Sequence, residues 1–361
     1  MDPLSIVRRR LVDQRLAGEP FEEAADAVRW LGAVQAQEFA EAKWSLAERT
    51  RRSTDLEVEA AFSRGEIIRT HLLRPTWHLV APEDLRWLLR ITRPRVHALN
   101  SYWYRKAELT PDVLTRGHDA LASSLDGGET RTRRELERSL ARAGISADGV
   151  RLAYLLMHAE LEELICSGPR RGKQQTYALL DSRVPPSTLD DMPRDRALRE
   201  LVLRYFRSHG PATIRDFTAW SSLTVADTRA ALEDLGDALR SETDDSGTRW
   251  YAAPSRVQEL PRRARGAFLV PMFDETIVAY QDLRVALAYP PPRPGILDRA
   301  IVIDGRTHGS WSRVLNGRTV TVAATLFGPL ASQQTRLFTD AVERFGRFLG
   351  AEASVEFALA T

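Results

Sequence analysis

A run of three helical segments followed by two short strands is the feature that most constrains the fold of this chain. Between residues 196 and 253, the first amphipathic segment ends at Gly210-Pro211. The next two begin at Thr213 and Thr224, a residue type that favours helix N-caps. Two strand-like segments then flank an Asp-Asp-Ser-Gly turn. This order predicts a winged helix, the helix-turn-helix variant that a hairpin completes.

The same order of elements recurs twice nearer the N-terminus. Residues 129–181 contain a capped helix, a longer helix and two strands around a basic turn at 169–173. Residues 4–81 contain four helical segments followed by two extended segments. A further helical and aromatic stretch at 83–117 is expected to pack this unit against the rest. The pattern therefore predicts three tandem winged-helix units.

After residue 266 the sequence changes from mainly helical patterns to mainly strand-like patterns. Strand-like segments dominate, two of them surround the hairpin signal Asp304-Gly305, and one helical segment lies at 330–350. A proline-rich run at 289–295 is expected to form a loop. We predict an α+β fold with a β-rich, barrel-like C-terminal domain of about five to seven strands and one covering helix. The expected boundaries are 1–128, 129–190 and 191–260 for the winged-helix units and 261–361 for the β-rich domain.

Arginine dominates the basic residues of this chain. The formal net charge is only +2, but 48 of the 51 basic residues are arginine, whose planar fork binds phosphate at two points. Codon bias in a GC-rich genome is one explanation of this preference. A shared basic surface is the other, because the arginines are clustered. The clusters lie at 8–10, 49–52, 131–134, 170–173 and 262–265.

Several classes of site find little support in the sequence. The seven histidines show no paired spacing typical of metal ligands, and there is no glycine-rich phosphate loop. We therefore expect no metal and no cofactor. The single cysteine, Cys166, excludes an internal disulfide and is interpreted as a structural thiol. No apolar run is long enough to cross a membrane, so we expect no transmembrane helix. The single cysteine fits a reducing compartment, and we expect a cytoplasmic protein.

Two uncharged amides, Gln35 and Gln37, follow a helical segment in the stretch Val-Gln-Ala-Gln-Glu at 34–38. In a helix their side chains would diverge by roughly 200°, whereas in an extended chain they would lie on the same side. Gly32 permits the helix to end before them. They could then hold a water molecule jointly, since each amide offers one acceptor and two donors. The alternative is that both are inert polar residues at a helix end.

A second polar row follows in the stretch RTHLLRPTWHLV. In a strand, Arg74, Thr76 and His78 share one face, and Trp77 and Leu79 take the opposite face, toward the core. Such a row could meet a phosphate or a sugar. The alternative is a solvated strand in which His78 is satisfied locally.

The carboxylate pair Asp274-Glu275 is a third candidate. Paired carboxylates can perform acid–base catalysis. More often such a pair caps a turn or binds an arginine across a domain interface. This structural role is the one we expect here.

Four stretches together resemble one family, the AlkZ/YcaQ-like winged-helix DNA glycosylases. They are VRWLGAVQAQEFAEAKWSLAERT, RTHLLRPTWHLVAPEDLRWLL, LVPMFDETIVAYQDLR and VIDGRTHGSWSR, and the resemblance runs from about residue 4 to 350. It implies tandem winged helices and a C-terminal β domain in a C shape around DNA. It also implies catalysis by Gln35 and Gln37, because Gln35-Ala36-Gln37 matches the Gln–aliphatic–Gln signature of the AlkZ-like branch.

The reaction that the resemblance implies is hydrolysis of the N-glycosidic bond of N7-alkylguanine in double-stranded DNA, by a monomer without a cofactor. Members of this branch remove bulky adducts, and some unhook interstrand crosslinks, as DNA repair or self-protection in antibiotic-producing bacteria. Alkylation makes the base cationic and weakens its glycosidic bond, so placing a water at the sugar becomes the main task. We expect Gln37 to be the principal water-positioning residue and Gln35 its partner.

The remaining assignments concern DNA contacts and the type of glycosylase. We expect Arg74, Thr76 and His78 to support the site near the sugar and phosphate. The DNA backbone is expected to meet basic residues, namely Arg51, Arg52, Arg131, Arg133, Arg170, Arg171 and Lys173. A lyase step would need an amine, for which Lys43 is the lysine near the motif. We expect a monofunctional enzyme that leaves an abasic site.

Two alternatives to a glycosylase stay open at this point. One is a transcription regulator that keeps the winged helices and uses the β-rich domain as a ligand sensor or dimer interface. The other is a non-catalytic DNA-binding protein with a decayed motif. Excision of an alkylated base that is lost in Gln37→Ala distinguishes an enzyme from both.

Overall fold

The computed structural model describes residues 2–254, 266–282 and 299–360. Its helices are α1 Pro3–Asp13, α2 Ala24–Leu31, α3 Phe39–Glu48, α4 Asp55–Arg64, α5 Pro82–Lys106, α6 Pro111–Leu125, α7 Arg133–Arg142, α8 Gly149–Leu161, α9 Arg194–His209, α10 Ile214–Ser221, α11 Val225–Leu235, α12 Glu275–Val278 and α13 Ser332–Leu349. Its strands are β1 Val34–Gln35, β2 Ile68–Leu72, β3 Arg74–Val80, β4 Arg131–Thr132, β5 Ile165–Arg171, β6 Gln174–Leu179, β7 Arg240–Thr243, β8 Arg249–Ala252, β9 Ala267–Val270, β10 Ala300–Ile303, β11 Arg306–Asn316, β12 Thr319–Leu326 and β13 Glu352–Leu359. Among these helices, none combines the length and the apolar character that crossing a membrane requires.

Three sequence expectations lie outside the described residues. They are the arginine cluster at 262–265, the domain boundary between residues 260 and 261, and the proline-rich run at 289–295.

The three predicted winged-helix units are called the first, second and third repeats in chain order (4–81, 129–181 and 196–253), and the third has the expected order of three helices and a hairpin. Helices α9 to α11 precede the antiparallel pair β7–β8. Thr213 and Thr224 cap α10 and α11, and each accepts the backbone N–H of the third helical residue. Phe217 and Trp220 on α10 are fully buried and contact the ring of Tyr205 on α9. Aromatic packing therefore holds α10 against α9.

Helix α6 shares the core of the second repeat, although the predicted repeat began at residue 129. Leu121 of α6 lies in one buried cluster with Leu136 of α7 and Leu155 of α8. Gly117 allows close approach, because a Cβ added there would lie 3.1 Å from Leu155 Cδ1. Strands β4, β6 and β5 form a three-stranded sheet, in that order, with α6 and α7 against it. The predicted boundary at 128/129 therefore falls between helices that share one core.

The first repeat contains four helices and then two long strands, as its sequence predicts. Strand β3 pairs with β2 on one edge and with the short strand β1 on the other. Helix α5 starts directly after β3 and spans 25 residues, with Pro94 inside it. Its buried face joins the same hydrophobic cluster as residues of α8, α9 and α10. Helix α5 thus connects all three repeats.

The described strands of the C-terminal domain form one five-stranded sheet in the order β13-β12-β11-β10-β9. β12 and β13 run parallel, and the other neighbours are antiparallel. The predicted hairpin at Asp304-Gly305 connects β10 and β11. The predicted barrel-like closure is wrong for the described residues, since β13 and β9 lie at opposite edges. Helix α13 covers one face instead, with Phe338 and Phe345 in the core beside Trp311.

A buried ion pair joins the C-terminal domain to the first repeat. The Arg49 guanidinium donates to both carboxylate oxygens of Asp274, at 2.8 and 3.0 Å, and both side chains are at most 1% exposed. Asp274 also caps α12 and accepts the Ser45 hydroxyl. Burial alone would raise the pKa of Asp274, but Arg49 and these hydrogen bonds hold it below its usual value. The expected structural role of Asp274, binding an arginine across an interface, is confirmed.

We expect Asp274→Ala to lower the free energy of unfolding by about 3–5 kcal/mol, because it leaves the Arg49 cation buried without a counter-charge. Urea denaturation followed by circular dichroism measures this loss. Glu22→Ala is the matched control, since it removes the exposed partner of Arg51 and should change the same free energy by less than about 1 kcal/mol. Losses of similar size in the two variants would contradict the role given to the buried pair.

Candidate active site

The segment that carries Gln35 and Gln37 is extended. Gly32 ends α2 with a φ of 81°, and β1 then places Gln35 opposite His78 on β3. The backbone N–H of Ala36 continues this pairing by donating to Trp77 O at 2.7 Å. Ala36 is completely buried, whereas Gln35 is half-buried and Gln37 is exposed. The condition for the two amides to lie on one accessible side, that the helix ends before them, is met.

A half-buried cation, Arg74, fixes the side chain of Gln35. Arg74 Nη2 donates to Gln35 Oε1 at 2.7 Å, and Arg74 Nη1 donates to the backbone oxygen of Trp220 at 2.6 Å. Burial lowers the pKa of Arg74 from its usual value, and nearby Glu275 opposes that shift. With its carbonyl oxygen bound to Arg74, the Gln35 amide has its NH₂ group available for a different partner.

His78 is a neutral acceptor beneath this pair. It is fully buried, and its Nδ1 lies 3.0 Å from the backbone oxygen of Thr76, so Nδ1 carries the proton. Its Nε2 faces Arg74 Nη2 at 3.5 Å. Burial, and then the Arg74 cation, lower the pKa of His78 well below 6.5. Of the alternative interpretation, the local satisfaction of His78 is confirmed by its bond to Thr76 O, whereas solvation of this residue is wrong. Thr76 lies in the same strand, and its Oγ1 is buried with no hydrogen-bond partner among the described residues.

Glu275 holds the backbone of Gln35 from the opposite direction. Its Oε1 accepts the Gln35 N–H at 2.8 Å, and its Oε2 accepts the Trp220 indole N–H at 2.9 Å. His209 Nε2 lies 3.4 Å from the same Oε2. The Glu275 side chain has no solvent exposure. Residues from the first repeat, the third repeat and the C-terminal domain thus meet at Gln35.

Gln37 is held through its backbone more than through its side chain. Arg69 Nε donates to Ala36 O at 3.0 Å, and its guanidinium lies 4.1 Å from the centre of the Trp77 ring. Burial lowers the pKa of Arg69 to about 10, so it stays charged at neutral pH. The side-chain contact of Gln37, from Oε1 to Trp77 N, is long at 3.4 Å. Leu79 is buried, as predicted, but Trp77 is only half-buried.

Sequence reasoning missed the positioning roles of Arg69, Glu275 and Trp220. Arg69 alone left a local signal, since an arginine stands inside the apolar segment EIIRTHLLR. The sequence predicts a structural role for Glu275 as part of the Asp274-Glu275 pair, but it does not predict that the Glu275 carboxylate accepts the backbone N–H of Gln35. The contact of Trp220 with Glu275 could not be predicted from the sequence. An apolar position on an amphipathic helix predicts that the side chain is buried, but it does not predict the hydrogen-bond partner of the indole N–H.

The basic residues that were expected to meet DNA fall in two regions. Four of them lie near the start of α7 or in the wing of the second repeat, which is the hairpin β5–β6 with its basic turn at 169–173. Here Arg171 Nη1 contacts Glu135 Oε1 at 3.0 Å and Arg170 Nη1 contacts Glu59 Oε2 at 3.1 Å. These four are Arg131, Arg133, Arg170 and Arg171, and Lys173 occupies the turn beside them. Arg51 and Arg52 follow α3 and instead line a surface cleft with two arginines of α13. Arg51 and Arg171 are exposed and already paired with surface carboxylates, and the half-buried Arg131 is paired with Glu129.

Lys43 is not available as an amine. It is 3% exposed, and its Nζ lies 2.8 Å from Asp55 Oδ1 and 2.7 Å from Glu59 Oε2. Cys166 is likewise fully buried, and burial raises the pKa of its thiol to about 12. Its interpretation as a structural thiol agrees with both observations.

Comparison with known proteins adds three findings to this geometry. The family model for "DNA glycosylase AlkZ-like" matches residues 28–348. A curated relative, the interstrand DNA cross-link repair glycosylase of Streptomyces sahachiroi, is 26% identical over 322 residues, which cover 84% of this chain and 86% of the relative. The solved structure of the Streptomyces sahachiroi DNA glycosylase AlkZ matches with a TM-score of 0.78 at 23% identity, over 98% of this chain and 99% of that chain. The last match supports the fold.

We expect the free energy of unfolding to fall as the pH drops below about 6.5, partly because of His78. In the unfolded chain this histidine takes up a proton near pH 6.5, whereas its lowered pKa keeps it neutral in the folded state. Its contribution is therefore complete above pH 6.5 and is lost at about 1.4 kcal/mol per pH unit below it. Urea unfolding of wild type and His78→Asn between pH 7.5 and pH 5 should show a shallower pH dependence in the variant. Parallel curves would contradict the assignment.

Proposed function

Because the chain belongs to the AlkZ-like DNA glycosylase family, we propose that it hydrolyses the N-glycosidic bond of N7-alkylguanine in double-stranded DNA, with a water held by Gln35 and Gln37. The observation that carries this proposal is the amide pair itself. It lies on the accessible side of an extended segment whose other side, at Ala36, is completely buried. The alternative of a non-catalytic transcription regulator does not fit the family to which the chain belongs.

The two amides have different roles in this proposal. Gln35 is fixed by Arg74, so its NH₂ group has a defined direction and can donate to the oxygen of a water molecule. Gln37 is exposed, and its Oε1 accepts only a long, weak hydrogen bond of 3.4 Å from Trp77 N. A water molecule can therefore take the place of Trp77 N as the partner of Gln37 Oε1. Because Gln37 is the more exposed of the two and can turn toward a bound sugar, we assign it the principal water-positioning role, with Gln35 as its partner.

The electrostatics of the site suit a cationic leaving base. N7-alkylation places a positive charge on the base before the bond breaks, so a strong general acid is not needed. The sugar then gains positive charge, which a bare cation beside it would oppose. The Arg74 charge is compensated by Glu275, and His78 is neutral at pH 7. We propose that Arg74 and His78 support the site by orienting Gln35, with Thr76 supplying the backbone oxygen that sets the His78 tautomer.

The DNA duplex is proposed to contact the basic residues of the wing and of the loop after α3. The wing carries Arg170, Arg171 and Lys173, with Arg131 and Arg133 beside it, and the loop carries Arg51 and Arg52. Exposed ion pairs contribute little stability, so phosphates can replace the carboxylates that now face these guanidiniums. Three winged-helix units and the C-terminal domain would then surround the duplex in a C shape, as a monomer. The curated relative is named for crosslink repair, and we propose bulky adducts and interstrand crosslinks, including those of a genotoxic natural product, as substrates.

We expect Gln37→Ala to reduce the single-turnover rate of N7-methylguanine release from duplex DNA by about 100-fold, the usual effect of losing one positioned polar group in an active site. Gln35→Ala should lower the same rate less, since Gln37 remains. Gln333→Ala, on the exposed start of α13, is the matched control and should keep the wild-type rate. Wild-type rates in both Gln35→Ala and Gln37→Ala would overturn the assignment of the pair, although not the family.

We also expect a monofunctional product, an abasic site without strand cleavage. A lyase step requires a free amine near the sugar, and Lys43 is buried between Asp55 and Glu59. Sodium borohydride added during turnover should therefore trap no covalent enzyme–DNA adduct, whereas a bifunctional glycosylase in the same assay should be trapped. A trapped adduct that disappears in Lys43→Arg would show that this expectation is wrong.

A further inference from the structure

Three histidines and one glutamate lie together on helices α5, α6 and α8. His97 comes from α5 and His118 from α6, while His158 lies on α8 and Glu162 is the C-cap of that helix. One ligand atom from each of His97, His158 and Glu162 lies within 4.8 Å of the other two. This cluster belongs to the second repeat and to α5, and it does not include the Gln35–Gln37 segment.

Each principal ring has its Nδ1 engaged by a neighbour, and the Nε2 of His97 also faces the carboxylate of the cluster, a contact that a metal ion between them would replace. His97 Nδ1 faces the Tyr104 hydroxyl at 2.9 Å, while its Nε2 faces Glu162 Oε1 at 2.9 Å. His158 Nδ1 faces His118 Nε2 at 3.2 Å, which leaves the Nε2 of His158. Metal-binding histidines usually have their second ring nitrogen partnered in this way, which fixes the orientation of the ring.

The cluster also contains an acidic ligand that suits a cation. Glu162 supplies a carboxylate, and its Oε2 lies 3.6 Å from Arg93 Nη1, so its second oxygen also has a partner.

We propose that His97, His158 and Glu162 bind one divalent transition-metal ion, with Zn²⁺ as the best match. Two imidazoles and one carboxylate form a common zinc ligand set, and a water can complete the tetrahedron. His118, Tyr104 and Arg93 orient the ligands from outside. The ion would tie the C-terminal half of α5 to the end of α8, because His97 lies on the first helix and the other two ligands lie at the end of the second. This site could not be predicted from the spacing of residues in the sequence, because its ligands come from two helices that are far apart in the chain.

The test uses the full-length chain without an affinity tag, stripped with a chelator and dialysed. Titration with Zn²⁺ in a calorimeter should show one equivalent bound, and Co²⁺ should give the visible absorption bands of a tetrahedral site. His158→Ala and Glu162→Gln should lose saturable Zn²⁺ binding. His118→Ala, which removes an outer partner, should weaken Zn²⁺ binding by about 10- to 100-fold. His308→Ala, a histidine of β11 outside the cluster, is the matched control and should bind like wild type.

The exposed position of Glu162 keeps the test falsifiable, because Glu162→Gln removes a ligand without disturbing the core, and circular dichroism checks its fold. A folded wild-type chain that binds no Zn²⁺ saturably would overturn the proposal. Binding that survives unchanged in both His97→Ala and Glu162→Gln would also overturn it, since the ion would then lie elsewhere. Zn²⁺ should raise the melting temperature of wild type and of His308→Ala, but not that of Glu162→Gln.

Discussion

The position of Gln35 depends on one fully buried carboxylate, that of Glu275. A carboxylate without solvent is unfavourable by several kcal/mol unless hydrogen bonds and opposite charge compensate it. Here one oxygen accepts the Gln35 N–H and the other accepts the Trp220 indole N–H. Since Glu275, Gln35 and Trp220 belong to three different parts of the chain, the compensation is complete only when those parts are assembled. The amide segment is therefore positioned by tertiary structure, before any substrate arrives.

Two neighbouring carboxylates, Asp274 and Glu275, explain why some arginines are buried. Arg49 binds Asp274 directly, and Arg74 lies close enough to Glu275 for each charge to stabilise the other. Arg10 and Arg69 are also buried, and each donates to a backbone oxygen. Some of the arginines of this chain thus stabilise the protein interior instead of a basic surface, since one guanidinium can donate hydrogen bonds to several buried acceptors at once. A basic cluster in the sequence cannot distinguish these roles. In the cluster at 49–52, for example, the first arginine is fully buried, whereas the two at 51 and 52 are exposed.

The elements that the sequence predicts well are those that depend on neighbouring residues. The break at Gly32, the caps at Thr213 and Thr224, and the hairpin at Asp304-Gly305 are all in place. Each follows from local backbone preferences or side-chain hydrogen bonds. The barrel-like closure was wrong, because whether a sheet closes or is covered by a helix depends on packing between distant segments. The contact between Gln35 and Glu275 spans 240 positions, and the histidine cluster brings together helices from both sides of α6. Neither the Gln35–Glu275 contact nor the histidine cluster can be predicted from a pattern of neighbouring residues.

The neutrality of Gln35 suits the environment behind it. A carboxylate at this position could bind Arg74, but it would add a second negative charge near the buried Glu275, and like charges in a low-dielectric interior disfavour the ionised form of both. A cationic side chain there would face Arg74, with the same difficulty. An amide avoids both conflicts, and it still offers an acceptor to Arg74 and donors to a water. Neither amide titrates, so the pair cannot protonate the leaving base. The positive charge that helps the base to leave must then be present on the substrate. In the proposed reaction, a base that is already cationic leaves without a proton from the enzyme, which is why alkylated bases are the proposed substrates.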